Sequence, residues 1–311
     1  RDRVGGALIL DVTNTDLSNN ILPSIIGVFD EFYLHDGMAR GDTLWGAAVY
    51  QGNFYAIDVS IPSNPFIMNN GAAFHSTPDN FTHNCWISDD GQTLFTTDEV
   101  SGAYIGAYDV SDLNNIYEVD RIQSNPGSGV VPHNTHVYGD FIVTSYYADG
   151  IRIHDVTYPN NMIEVAYYDA FLGLDDGMDG SWGAYPYLPS GLILSSEINS
   201  GPNNDGQLLV LEASLQQACY LEGNVFSTSG QNISGATIEL LTTAESATSN
   251  LNGYFFTGTA NSGTYQVVFS APGFFPDTLT VDLINGVLTV LNDTLFSSTP
   301  ISINGEVIDT D

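Results

Sequence analysis

The sequence contains no lysine. Its basic residues are 5 arginines against 37 acidic residues, a formal net charge of −32 over 311 residues. A chain this poor in cations has no surface with which to neutralise phosphates, which excludes nucleic acid as a partner. It also offers no basic face to anionic lipid. Cysteine is nearly absent: Cys85 and Cys219 cannot form a disulfide framework, and two thiols so far apart in sequence are more often unpaired. No apolar run approaches the ~18–20 residues that span a bilayer, so no membrane insertion is expected. There is no Gly-x-Ser-x-Gly motif, no phosphate-cradling loop and no dinucleotide fingerprint. Without a complete catalytic constellation the chain is read as a non-enzyme. No leader precedes Arg1-Asp2-Arg3-Val4. That leaves a cytosolic protein, or a mature or partial chain. An acidic, lysine-free surface kept soluble by self-repulsion suits an extracellular or cell-surface setting.

What the sequence does contain is apolar material, 43% hydrophobic and 12% aromatic, enough for sizeable cores in two domains. Sustained helical periodicity is missing, and short β-rich runs are broken by Gly, Asn, Asp and Pro, which predicts an all-β chain. One segment recurs: a turn glycine, an alternating apolar strand, an acidic residue, then a small or hydroxyl residue. The copies end at Asp11, Asp58, Asp109, Asp155 and Glu212, spaced 47, 51, 46 and 57 residues apart. A period of ~40–50 residues holding several strands predicts propeller blades.

A second repeated element precedes the complete copies. His35-Asp36, His83-Asn84 and His133-Asn134 each lead into a second strand, and Trp182-Gly183 takes that place in the last copy. Each unit therefore reads as an inner strand, a second strand, a tight turn, a third strand and an outer strand. Asp90-Gly91, Asp149-Gly150 and Asp205-Gly206 supply turn residues that tolerate positive φ. Gly6–Val12 reads as a third strand whose inner partners lie upstream of this sequence. The expectation is about four and a half blades over residues 1–214, a propeller unable to close by its own blades.

From Tyr220 the composition shifts to Gly, Ser, Thr and Asn with strict alternation. Leu221–Phe226, Ile233–Leu240, Gly253–Phe256, Gly263–Phe269 and Asp277–Val281 are predicted strands of a β-sandwich over residues 219–299. Ile303-Asn-Gly-Glu-Val-Ile308 repeats Leu221-Glu-Gly-Asn-Val-Phe226. Residues 300–311 therefore read as the start of a further sandwich module, or as a strand for pairing with a neighbouring edge.

The Asp-Val-Ser/Thr strand ends and His-Asn openings resemble the LVIVD-repeat β-propellers of bacterial surface proteins, the choice-of-anchor B group. Trp182-Gly-Ala-Tyr-Pro-Tyr-Leu-Pro-Ser-Gly191, Thr82-His-Asn-Cys-Trp86 and Asp89-Asp-Gly-Gln-Thr-Leu-Phe95 carry that resemblance. The later segment, in the order Gly-x-Val, Gly-Ala-x-Ile-x-Leu, Asn-Gly-x-Phe, Gly-Thr-Tyr-x-Val, Gly-Phe, resembles the carboxypeptidase regulatory-like, or transthyretin-like, sandwich. The resemblances imply a secreted or cell-surface structural or interaction protein, exported by type IX secretion. Its propeller would bind or assemble, and its sandwich modules would form a stalk. The family supplies no catalytic residues to transfer. The expected partners are an extracellular protein or glycan, or a second copy of the chain. The alternative reading is a propeller hydrolase or lyase using an axial histidine cluster.

Three groups are candidate sites. His35, His83 and His133 recur at 48 and 50 residues and should share a ring about the axis, either as ligand-binding imidazoles or as ties between blades. His136 could join them. Blade-to-blade hydrogen bonding is the simpler account of the repeat, and it predicts no tightly bound transition metal. Asp175, Asp176 and Asp179, and the loop Asn203-Asn-Asp-Gly206, offer oxygen ligands for calcium; a solvated acidic loop is the competing account. The recurring Asp11, Asp58, Asp109 and Asp155 read as turn acceptors rather than catalytic carboxylates. Cys85 follows His83 by two residues, which in a regular strand puts both on one face. Tyr146, Tyr147, Tyr167, Tyr168, Tyr185 and Tyr187 read mainly as blade packing. Asp-Thr-Leu at Thr43, Thr278 and Thr294 resembles an O-glycosylation signal of bacteria that use type IX secretion, with Thr outward and Leu inward on a strand.

Overall fold

The computed structural model describes residues 5–19, 21–173, 177–200 and 205–298. The chain divides into two compact units, Arg1–Leu215 and Gln216–Asp311.

The first unit is a run of antiparallel meanders. Thr82–Ile87, Thr93–Asp98, Ile105–Asp109 and Tyr117–Ile122 form one sheet in chain order, and Asn134–Tyr138, Phe141–Ser145, Ile151–Asp155 and Ile163–Tyr168 form the next. Before them, Asp36–Arg40, Thr43–Ala48 and Asn53–Asp58 make the same pattern. There the outer strand is split into Phe66–Ile67 and Phe74–Ser76, both paired to Asn53–Asp58. Asn69 and Asn70 make the break, at φ of 53° and 52°, a region asparagine tolerates better than other side chains. Inner strands pack side by side from sheet to sheet, so Asp36–Arg40, Thr82–Ile87, Asn134–Tyr138 and Gly180–Tyr185 line one axis. This is a partial β-propeller.

Burial explains why the blades stack. Each sheet is apolar on both faces, and the cores lie between blades. Trp45 and Phe54 meet Cys85, Ile87 and Leu94 in one core; Phe95 and Ile105 meet Val137, Ile142 and Tyr146 in the next. The recurring acidic strand ends close the turns. Asp11, Asp58, Asp109 and Asp155 each accept the backbone N–H and the hydroxyl of the Thr or Ser two residues on, at 2.6–2.9 Å. Those side-chain bonds, with the backbone bonds second, hold the Asp11, Asp58 and Asp109 carboxyls below the usual range.

The last blade departs from the repeat template. Gly180–Tyr185, Ile193–Ile198 and Gln207–Leu211 form a sheet of three strands among the described residues, with no outer strand. Leu208 and Val210 are left exposed on its edge strand. The chain enters Cys219–Ser227 of the second unit where an outer strand would have returned. At the other end Ala7–Asp11 pairs, among the described residues, with Ser24–Phe29 alone.

The second unit is a sandwich. One sheet orders Tyr254–Thr259, Cys219–Ser227 and the parallel Leu288–Val290, with Asp293–Leu295 also parallel on Cys219–Ser227. The other orders Ser246–Thr248, Thr237–Leu240, Gly263–Ser270 and Asp277–Leu283. Alternate residues of both, among them Leu221, Val225, Ile238, Phe255, Val267 and Leu295, fill one core. Cys85 and Cys219 are both buried free thiols. The repeat at Ile303–Ile308 lies outside the described residues.

Candidate functional site

The inner strands deliver four equivalent residues to the axis. The His35 N–H bonds Ala47 C=O at 2.8 Å and the His133 N–H bonds Ser145 C=O at 2.9 Å, each extending the ladder just ahead of its strand. In the other two blades the equivalent position is a β-bulge. Thr82 pairs with Asp98 and Asn84 with Thr97, leaving His83 as the extra residue; Ser181 pairs with Glu197 and Gly183 with Ser196, leaving Trp182. A bulge re-aims its side chain. This overturns the expectation that His83 and Cys85 share a face: the bulge breaks the alternation, and Cys85 packs in the inter-blade core while His83 turns to the axis.

The result is a continuous row of rings. Tyr50 meets Tyr33 at 5.3 Å between centroids, Tyr33 meets His35 at 6.0 Å, His35 meets His83 at 4.1 Å, His83 meets His133 at 4.6 Å and His133 meets Trp182 at 5.4 Å. The ends are open, with Tyr50 77% and Trp182 50% exposed, whereas His83 and His133 are 4% exposed. His35 is exposed and takes a 3.2 Å hydrogen bond between Nδ1 and the Tyr33 hydroxyl.

One carboxylate closes the row from the side. Glu99 Oε2 lies 3.4 Å from His83 Nε2, and Oε1 lies 3.6 Å from His133 Nε2. The Tyr147 hydroxyl donates to Glu99 Oε1 at 2.5 Å. Tyr147 is held at a φ of 40°, a costly conformation for a non-glycine residue, in a turn where its N–H bonds Ser181 C=O at 2.9 Å. His133 Nδ1 donates to the Trp182 carbonyl, which fixes its tautomer and leaves the Nε2 lone pair facing Glu99. His83 Nδ1 is buried with no hydrogen-bond partner.

Burial sets the electrostatics. It pushes the His133 imidazole down to about 4, with His83 adding to the shift and Glu99 opposing it, and pushes His83 down against the pull of Glu99. Burial also raises the Tyr147 phenol, with the bond to Glu99 second, so it stays a donor.

The dipeptides divide their labour. Asn84 ties three blades, its Nδ2 donating to Asp36 Oδ2 at 2.9 Å and its Oδ1 accepting the Thr135 N–H at 3.0 Å, while His133 ties its blade to the next through Nδ1 and the Trp182 carbonyl. His136 is not in the cluster. It packs 4.5 Å from Trp86, and burial lowers it to about 4. Glu99, Tyr33 and Tyr50 were not singled out from the sequence. Glu99 lies six residues on from Thr93, as Tyr147 does from Phe141 and Val49 from Thr43, and the three residue types share nothing that would mark the position.

Of the candidate calcium ligands, Asp175 and Asp176 lie outside the described residues, and Asp179 Oδ1 accepts Asn199 Nδ2 at 2.6 Å. Asn203 and Asn204 also lie outside them. Thr278 and Thr294 are exposed; Leu279 is half-buried and Leu295 buried, so both show the outward-Thr, inward-Leu geometry. Thr43 is half-buried, its hydroxyl 3.9 Å from Met68 Sδ. Among the aromatics, Tyr146 is buried, Tyr187 bonds Val137 C=O at 2.7 Å, and Tyr167, Tyr168 and Tyr185 are exposed.

Residues 220–295 match the carboxypeptidase regulatory-like domain family. No curated protein matches the chain. Solved structures of similar fold include the periplasmic gluconolactonase of Pseudomonas aeruginosa, at 16% identity and a TM-score of 0.44, covering 58% of this chain and 53% of that one. The chain thus spans about half the length of that protein. A protein from Lactobacillus plantarum is similar at 11% identity and a TM-score of 0.40, over 86% of this chain and 75% of its own. A functionally unknown protein from Desulfotomaculum acetoxidans is similar at 13% identity and a TM-score of 0.38, over 83% and 88%. The chain is all-β: a partial, propeller-like unit followed by a carboxypeptidase regulatory-like β-sandwich.

Proposed function

We propose that this is a secreted or cell-surface binding protein of the LVIVD-repeat, choice-of-anchor B kind. Its propeller takes an extracellular ligand at the axial row, and its sandwich serves as a stalk. The observation that carries this reading is the division of labour within the dipeptides. Asp36, Asn84 and Thr135 tie the blades together and His133 adds a tie through Nδ1 to the Trp182 carbonyl, which leaves the Nε2 nitrogens of His83 and His133 turned to Glu99 rather than to a neighbouring blade. A row of polar rings with a buried nitrogen left unpartnered is costly in a scaffold and suited to a site. The exposed faces of Tyr50, Tyr33 and Trp182 offer flat apolar surfaces on which a sugar ring stacks, with the imidazoles and Glu99 as polar partners below. A glycan is therefore the ligand class favoured over a peptide. The test is a glycan array with the full chain beside Trp182→Ala and Tyr50→Ala. Selective binding lost in both variants supports the reading. Binding that neither variant changes, or no glycan binding at all, refutes it.

A second reading, a hydrolase or lyase, draws on the carboxylate held between two imidazoles, a set able to move protons. Turnover of a bound glycan that Glu99→Gln abolishes would favour it.

A further inference from the structure

We infer that His83, Glu99 and His133 are the ligands of a divalent transition-metal ion, zinc first, at the floor of the axial row. This rests on the reading of that row as a ligand site and adds a cation to it. One donor atom from each residue lies within 4.8 Å of the others. The two imidazole-to-carboxylate separations, 3.4 and 3.6 Å, are too long for good hydrogen bonds. Each, to a different oxygen of Glu99, is close to the separation of two donors on one ion, ~3.3 Å when metal–nitrogen and metal–oxygen bonds are ~2.0–2.1 Å.

The orientation of the donors points the same way. The Nδ1–H of His133 is given to the Trp182 carbonyl, so its bare Nε2 faces a carboxylate oxygen. Two acceptors turned toward one another call for a cation between them. A backbone carbonyl on the far nitrogen of a histidine, and a hydroxyl on a ligating carboxylate, are the outer partners that metal ligands use. His133 has the first in Trp182, and Glu99 has the second in Tyr147. His83 Nδ1 has no hydrogen-bond partner, and its Nε2 lies beside Glu99, with the His133 backbone also acting on the ring. A cation at Nε2 anchors that ring.

Donor chemistry narrows the ion. Two imidazoles and one carboxylate suit zinc and its first-row neighbours, and not calcium, which takes oxygen. Three protein ligands leave coordination positions open, as in metal sites that engage a ligand. His35 packs against His83, the rings tilted by 46°, at the exposed side of the cluster, where such a ligand would enter. The inference runs against the expectation from sequence that no transition metal is tightly held; the hydrogen bond between blades that His133 makes uses Nδ1 and leaves Nε2 for an ion.

The test uses the full chain, stripped with a chelator and titrated with zinc, and separately with cobalt for its visible spectrum. One equivalent should bind, and cobalt should show the intense bands of a tetrahedral or five-coordinate site. His83→Ala and His133→Ala should each weaken zinc by about 100-fold or more, and Tyr147→Phe by ~10–100-fold through its bond to Glu99. Asp179→Asn should change nothing. Binding no tighter in the wild type than in the His83→Ala, His133→Ala double variant would overturn the inference, as would a wild-type cobalt spectrum typical of octahedral oxygen ligation. The wild-type spectrum decides the matter even if a variant fails to fold. Glycan binding that persists in chelator, together with no zinc bound by the wild type, would refute the metal and keep the glycan reading. Stoichiometric zinc with no glycan binding would do the reverse.

Discussion

Replacing Asn84 by alanine removes both hydrogen bonds that join three successive blades through one side chain. Asn84 is 2% exposed, and Thr135, whose N–H it accepts, is fully buried. In the alanine variant that N–H has no replacement partner, which costs ~1–3 kcal/mol, and Asp36 loses a donor to its carboxylate, a bond in the ~1.5–3 kcal/mol class. The two losses share one site and do not add fully, so the expected destabilisation is about 3 kcal/mol. The assay is urea unfolding followed by tryptophan fluorescence. Trp45, Trp86 and Trp182 are all in the first unit, so the signal reports the propeller and not the sandwich. Asn134→Ala is the internal control. It occupies the equivalent position in the next repeat, but its Oδ1 has no hydrogen-bond partner, and it should cost under about 1 kcal/mol. Equal costs for the two variants, or a cost below about 0.5 kcal/mol for Asn84→Ala, would refute the assignment of blade-tying to this residue.

Further expectations follow from burial and exposure. His154 is fully buried, and burial, with Arg152 adding, lowers it to about 3. A depressed imidazole binds its proton in the unfolded chain first, so stability falls as pH drops below the unfolded value of ~6.5. His154→Gln should therefore gain about 2 kcal/mol relative to wild type between pH 7 and pH 5; a pH-independent difference would contradict the burial argument. Burial raises Asp120 to about 6, which opposes this trend because its contribution is present at low pH and lost as pH rises past that value, so the comparison must be between variants. Phe255→Ala should cost ~3–5 kcal/mol in the sandwich by opening a void beside Phe269, read by thermal unfolding in the far-ultraviolet. Peptide mass mapping of the native protein should find any O-linked glycan on Thr278 or Thr294 and none on Thr43; an unmodified mass removes the glycosylation reading.

Much of the fold was legible because it repeats. Asp11, Asp58, Asp109 and Asp155 recur with a hydroxyl two residues on, and that local turn forms the same way each time. The approach of His35, His83 and His133 was legible for the same reason: near-even spacing puts equivalent residues around one axis. Features that do not repeat stayed hidden. Glu99 stands where the next blade has Tyr147 and the preceding one Val49, so no periodicity marks it. The bulge at His83 depends on pairing with Thr93–Asp98, which alternation along one strand cannot reveal. The missing outer strand of the last blade was obscured by the template itself, since Glu212 completes the repeat's signature while the chain continues into the sandwich. Tyr50 has no aromatic counterpart in the next two repeats, where Val100 and Ala148 stand, and only the turn of the chain around the inner strands brings it to Tyr33.

The axial site is the centre of this account, and anomalous scattering at the zinc absorption edge from a crystal of the full chain grown with zinc tests it most directly. The account predicts one peak about 2.0–2.2 Å from His83 Nε2, His133 Nε2 and a Glu99 oxygen. A featureless axis, with zinc found only on the acidic surface loops, would contradict it.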